Sequence, residues 1–446
     1  MPSVTAGYAP DLEKYLKSLK GQPLEASVET LISLLKRRQI RGSEPCAVAT
    51  AHILLQVVAK SKWQDVDTLL RNVSETGRRL VQAQPNELVV ANIVRRVLGL
   101  IRDEAAEDRN DPSSETATDA QMTPTDAVST ASNQPQWTTS TFTKQDSSGD
   151  YITNSAKAPP RPSPLASYSS INVPKTLFHL LATSSPLDNE GASRSPLANS
   201  GTSTPTWKNT SSQVHALRSE VIDGIEEIKD EISQVDDQIA TQAEVQIHPG
   251  DYILVHQPSP TVERFILRAA LKRRFTVLIA TEATRDPSGE VPHAALRKRL
   301  TAAGIQSVNI FNNGVKAYMS RVAKVILGAR AIIADGGVMT DAGAAAIARS
   351  AKDHGTAVVV LGGVYKLSPI TPDSEDSLIE WGSSSNFVRF SNGPIVSNVD
   401  IRSAVTELVP SQFIDTYITN LGTHSRDHLP SLIADHYKEE DVNLLL

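Results

Sequence analysis

The sequence predicts an α/β protein with an N-terminal helical domain and a C-terminal doubly wound, Rossmann-like parallel-sheet domain, separated by a disordered Ser/Thr/Pro-rich insertion. Three observations carry this. Apolar residues recur at helical spacing from Asp11 to about Glu104. Composition then shifts to Ser, Thr, Pro, Asp and Asn across 105–212. After His248-Pro249-Gly250-Asp251, short apolar runs alternate with helical stretches, the pattern of strands paired in parallel and covered on both faces.

Within residues 1–104, Leu31, Leu34 and Leu35, and later Val90, Ile93, Val94, Val97, Leu98 and Ile101, keep the three-four spacing of a buried helical stripe. Gly21, Gly42 and Gly77 are expected to end short helices, and Pro85 to precede the start of another. The 105–212 stretch has too few aliphatic residues to offset the entropy of ordering it. One apolar island inside it, Ile171 to Leu181, is expected to stay mobile. Residues 213–247 then hold one long amphipathic helix that completes the helical domain. Val214, Leu217, Val221, Ile225, Ile228, Ile232, Val235 and Ile239 form its apolar stripe, and Glu220, Asp223, Glu227 and Asp230 dominate the opposite face.

Residues 248–446 form the α/β domain. Strands are predicted at Tyr252 to Val255, Thr276 to Ala280, Ser307 to Phe311, Ala331 to Ala334, Ala357 to Leu361 and Phe387 to Phe390. Helices are predicted at Pro260 to Lys272, His293 to Ala303, Val315 to Leu327 and Asp341 to His354.

Composition excludes several functions. The chain has 446 residues and a formal net charge of −6, without the basic surplus that direct nucleic-acid binding demands. The single cysteine, Cys46, admits neither an intramolecular disulfide framework nor a multi-cysteine zinc site, and reads as an ordinary buried residue of a protein in a reducing compartment. No signal peptide and no membrane span is expected, which points to the cytosol.

In a doubly wound sheet ligands bind beyond the carboxyl ends of the strands. Three segments fall there: Val255 to Ser259, Thr281 to Arg285, and Asp335-Gly336-Gly337 through Gly343. The last has the order strand, glycine turn, helix N-terminus that suits a phosphate, and it reads equally as a simple tight turn. It lacks the Gly-x-Gly-x-x-Gly spacing of a dinucleotide site, which argues against a nucleotide-dependent oxidoreductase. His256 and Ser259 have no marked acid partner and no oxyanion loop, so a core or surface histidine is the preferred reading over a nucleophile and its base.

Val315 to Lys366, with Lys316 through Arg330, then Ala334 to Gly337 and Ala345 to Lys352, resembles the domain shared by two groups. One is the isomerases of methylthioribose 1-phosphate and ribose 1,5-bisphosphate. The other is the alpha, beta and delta regulatory subunits of eukaryotic translation initiation factor 2B. The resemblance covers the helical unit and everything from about Gln213 onward. Gly77 through Glu87, Val90 through Leu98, Tyr365 to Pro369, Glu375 to Ser377, and Leu408 through Gly422 are most similar to the beta type. Where the isomerases place a Thr-His-Cys segment and a Gly-Ala-Asp segment, this chain has Val255-His256-Gln257 and Gly328-Ala329-Arg330. An amide thus replaces the thiol of the acid-base pair and a permanent cation replaces the carboxylate. Asp341 stands where those enzymes hold phosphate, while Ile40 to Ser43 resembles a remnant of their Arg-Gly-Ala segment.

The resemblance implies a non-catalytic regulatory subunit of the guanine-nucleotide exchange factor for initiation factor 2, with no cofactor and no metal. Its expected partners are the alpha, delta, gamma and epsilon subunits of a decamer, and factor 2 itself, whose alpha-subunit phosphorylation it would sense. Glu220, Asp223 and Glu227 are the candidate contacts to that alpha subunit, with a plain solvated face as the competing reading. His256, Gln257, Arg330, Asp335, Gly336 and Gly337 outline a vestigial ligand pocket, in which Arg330 either captures a phosphate or pairs with a neighbouring acid. The alternative function is a sugar-phosphate aldose-ketose isomerase with a relocated acid-base pair.

Overall fold

The computed structural model describes residues 10–19, 21–110, 208–281, 292–371, 375–382 and 400–444. The helical part comprises α1 (Pro10–Ser18), α2 (Leu24–Lys36), α3 (Ser43–Lys60), α4 (Val66–Ala83), α5 (Leu88–Asn110) and α6 (Lys208–Thr241). The stripe on α6 is realised. Leu217, Val221, Ile225, Ile228, Ile232, Val235 and Ile239 are all buried, and α6 packs on α3 and α5. Both α5 and α6 reach beyond the boundaries set from composition, to Asn110 and from Lys208. Ala105, buried at 7 % exposure, continues the apolar stripe of α5 past Glu104. The island at Ile171 to Leu181 lies outside the described residues.

Gly77 corrects another expectation. It sits inside α4 rather than at its end, and a Cβ there would meet Val94 Cγ1 at 2.4 Å, so the glycine lets α4 and α5 approach closely. Gly42, with φ +90°, precedes α3 instead of ending α2.

The α/β part contains β1 (Tyr252–His256), α7 (Pro260–Ala270), β2 (Thr276–Thr281), α8 (Ala294–Ala302), β3 (Gln306–Phe311), α9 (Val315–Met319), β4 (Lys324–Gly328), β5 (Ala331–Ile332) and β6 (Val338–Asp341). It continues with α10 (Ala344–His354), β7 (Ala357–Leu361), β8 (Thr406–Val409), β9 (Thr416–Thr419), β10 (Gly422–His424) and α11 (Leu429–His436). The main sheet has the order β10-β9-β7-β4-β1-β2-β3, parallel except for β10. A second, antiparallel sheet joins β5, β6 and β8. The order reverses between β1 and β4, which places the crevice of the doubly wound fold at His256 and Gly328.

The helix expected over Val315 to Leu327 shrinks to the five-residue α9, Val315–Met319. Its second half is β4, a central strand whose Val325, Ile326 and Leu327 are fully buried between β1 and β7. Three apolar residues in a row do not distinguish helix from strand; burial on both faces does. Ala331 to Ala334 contributes the two-residue β5 of the small sheet, and the first residue of the expected Asp341 to His354 helix ends β6. The expected strand at Phe387 to Phe390 lies outside the described residues.

Helical and α/β parts belong to one compact unit, and one shared apolar cluster joins Val235 and Ile239 of the helices, with Val262, to Ile253, Val255 and Val359 of the sheet. Glu87 and Lys366 are buried where the parts meet. The Lys366 ammonium donates to the Ala329 carbonyl at 3.0 Å, and Asn92 Nδ2 donates to the Tyr365 carbonyl at 3.2 Å. The C-terminal segment crosses back over α5: Arg102 grips Asp441 at 3.0 Å, and Arg95 Nη2 donates to the Val442 carbonyl at 2.9 Å.

Candidate functional site

The crevice forms where β1, β6 and the start of α10 converge. His256 closes β1 at 2 % exposure, and its Nε2 lies 2.9 Å from the Ala342 carbonyl. A carbonyl only accepts, so Nε2 carries the proton and the buried Nδ1 is left without a protein partner. Gln257 follows in a left-handed conformation, φ +38°, and its Oε1 accepts from His293 Nε2 at 3.2 Å. His293 is also left-handed, φ +57°. Two non-glycine residues in this region, bonded to each other, mark local strain after β1 and before α8. Burial pulls the pKa of His293 down, Asp341 opposes that shift and His256 adds to it.

Arg330 follows β4. Its backbone is held on both sides: its N–H donates to the Met339 carbonyl at 2.8 Å and its carbonyl accepts from Ser43 Oγ at 3.0 Å. Its guanidinium meets Asp341 Oδ1 through Nη2 at 2.6 Å and Nε at 3.0 Å. The pairing alternative is therefore the one realised, and each charge neutralises the other. The N-terminus of α10 is filled as well, since Glu407 Oε1 accepts from Gly343 N at 2.8 Å and Ala345 N at 2.6 Å. Ser259 Oγ accepts from Val262 N and caps α7, a structural role.

Asp335, Gly336 and Gly337 do not join this group. They form the turn of the β5–β6 hairpin, not a strand-to-helix turn: Gly337 N donates to Asp335 Oδ1 at 2.7 Å, and the Gly336 carbonyl accepts from Tyr417. Gly336 has φ +88°, which its tight turn requires. Ala331 to Ala334, which include β5, separate this tip from Arg330. His256, Gln257 and Arg330 thus share the crevice region with His293, Asp341 and Glu407, while the glycine pair belongs elsewhere. Residues 282–285 of the Thr281 to Arg285 segment lie outside the described residues.

Sequence reading missed Glu407, His293 and Glu87 as neighbours of these groups. Glu87 is fully desolvated; burial raises its carboxyl pKa, with Arg330 and Ser43 offsetting part of the shift. No periodicity could have found these residues, because they come from three distant places: Glu407 from β8, His293 from just before α8 and Glu87 from just before α5.

Glu220, Asp223 and Glu227 stand exposed along α6, spanning roughly 10 Å of helix. Glu227 also lines a groove with Arg96, Leu100, Glu231 and Lys438. Among the described residues no group of three or more His, Cys, Asp or Glu is arranged to hold a metal, and no helix is long and apolar enough to cross a membrane.

The initiation factor 2 subunit family matches residues 39–425. Over 419 residues the chain is 32 % identical to translation initiation factor eIF2B subunit beta of Schizosaccharomyces pombe, covering 94 % of this chain and 97 % of that protein. It is also similar to a chain of the tetrameric eIF2B-beta2-delta2 complex from C. thermophilum, at 40 % identity and a TM-score of 0.63, covering 96 % of this chain and 100 % of that one. Ribose 1,5-bisphosphate isomerase of Haloferax volcanii is more distant, 22 % identical over 52 % of this chain and 70 % of that enzyme.

Proposed function

Because this chain belongs to the initiation factor 2 subunit family, we propose that it is a non-catalytic regulatory subunit of the exchange factor that recharges translation initiation factor 2. The observation that carries this reading is the Arg330–Asp341 pair. Isomerisation between adjacent carbons needs a group that gives and takes a proton near neutral pH. Gln257 and Arg330 do neither, and Asp341 is spent on neutralising Arg330. A purified chain should show no turnover of ribose 1,5-bisphosphate; turnover abolished by a substitution in the crevice would restore the enzyme reading.

Other subunits of the exchange factor are its partners, consistent with its likeness to a chain of the beta2-delta2 complex. The finer assignments are that alpha, gamma and epsilon subunits complete the assembly, that the subunit works in the cytosol, and that it holds factor 2 and senses phosphorylation of its alpha subunit. Phosphorylation adds up to about two negative charges, enough to change how a basic segment meets an acidic face. Glu220, Asp223 and Glu227 supply that face. A complex rebuilt with Glu227→Lys should lose affinity for factor 2 while keeping its native mass. Unchanged affinity would remove this helix from the interface.

A further inference from the structure

The chain as a whole is acidic, yet one surface is strongly basic. On α7 and the turn after it lie Arg264, Arg268, Lys272, Arg273 and Arg274, and on α8 lie Arg297, Lys298 and Arg299. Glu263 is the sole acid among the described residues of these elements. Eight cations and one acid give a local charge of +7, which leaves −13 for the rest of a chain whose net charge is −6.

The two helices present one continuous surface. Each buries its apolar side, Phe265 and Ile266 on α7 and Leu296 and Leu300 on α8, while Arg264, Arg268, Lys272, Arg274, Lys298 and Arg299 are exposed and Arg273 and Arg297 are half-buried. Arg299 of α8 reaches Glu263 of α7 at 3.4 Å, and Arg274 donates to the Ala303 carbonyl just past α8. At one rim, Arg264 meets Asp237 at 3.4 Å and Lys272 meets Glu244 at 3.0 Å. Arg268, Arg273 and Lys298 make no ion pair among the described residues. Beside them Leu271 is 71 % exposed, in the same turn as Lys272.

A solvated surface normally mixes both signs, because like charges held together repel. We propose that the α7–α8 face is a docking surface for an acidic protein segment. Guanidinium groups bind carboxylates through paired N–H donors, and Leu271 offers an apolar anchor inside a charged rim. A nucleic-acid backbone fits less well. Asp237, Glu244 and Glu263 would face an unbroken run of phosphates, and Leu271 would gain nothing from them.

The test uses the full chain and two labelled probes, a peptide of Glu-Glu-Leu repeats and a single-stranded oligouridine, with fluorescence anisotropy at low and physiological ionic strength. The peptide should bind, and the triple variant Arg268→Glu/Arg273→Glu/Lys298→Glu should weaken it at least about tenfold. A control with Lys316→Glu/Lys352→Glu, two exposed cations on other elements, should bind like the wild type. The Leu271→Ser variant should weaken the peptide at unchanged salt dependence, which a purely ionic attraction would not show. No peptide binding at low salt, equal loss in the control, or tighter binding of oligouridine than of peptide would each overturn the proposal. Circular dichroism and native mass of the variants establish that folding is intact.

Discussion

Replacing Gly77 by alanine tests how the helical part is built. In an exposed helix interior this change stabilises by about 1 kcal/mol, since alanine loses less backbone entropy. At this site the new Cβ would lie 2.4 Å from Val94 Cγ1 and 3.0 Å from Cγ2, well inside van der Waals contact. Val94 is fully buried and β-branched on a helix, so it has essentially one rotamer and cannot turn away. The helices α4 and α5 must spread, and overpacking of this kind costs about 1–3 kcal/mol. The balance is a loss of up to about 2 kcal/mol once the helix gain is subtracted. Urea denaturation of Gly77→Ala, Val94→Ala and the double variant measures it. The double variant should recover at least about 1 kcal/mol relative to the sum of the singles. A stabilising Gly77→Ala, or strict additivity, would refute the close-approach argument.

Three further outcomes follow from the structure. Burial, and secondarily Lys229, lowers the pKa of His52 from 6.5 to about 4; the unfolded chain then binds a proton that the folded chain refuses, so stability falls as pH drops from 6.5 toward 4, and His52→Leu should flatten that stretch of a stability–pH curve. Asp441→Asn removes a buried carboxylate from half-exposed Arg102 and should cost about 1–2 kcal/mol, read as faster hydrogen exchange across residues 437–444. Restoring the enzymes' residue types with Gln257→Cys/Arg330→Asp should give no turnover of ribose 1,5-bisphosphate and a lower melting temperature, because a carboxylate would then face Asp341 where an ion pair stood.

The long periodic elements were legible because burial on one face imposes a spacing that sequence alone displays. Val90 to Ile101 on α5 and Leu217 to Ile239 on α6 are examples, as are strands β1, β2, β3 and β7. Strand β4 was hidden because its apolar run is only three residues long and follows a true helical turn. At Asp335 to Gly337 the sequence suits a phosphate turn before a helix and a simple tight turn equally, and only the pairing of β5 with β6 decides for the tight turn. Half of the crevice was visible in the replacements at 257 and 330. The pairing of Arg330 with Asp341 was open at sequence level, since it depends on the hairpin aligning residues eleven apart. Glu407 of β8, which accepts from the start of α10, and Glu87 beside Arg330 come from distant chain, and nothing local announces them.

The regulatory-subunit role rests most directly on what this chain assembles with. A tagged chain purified gently from its own host, analysed by native mass spectrometry, should emerge in a complex of several different subunits, among them two of related sequence and two of nucleotidyltransferase type. Recovery as a lone homodimer would contradict the regulatory-subunit reading and return the crevice to the isomerases.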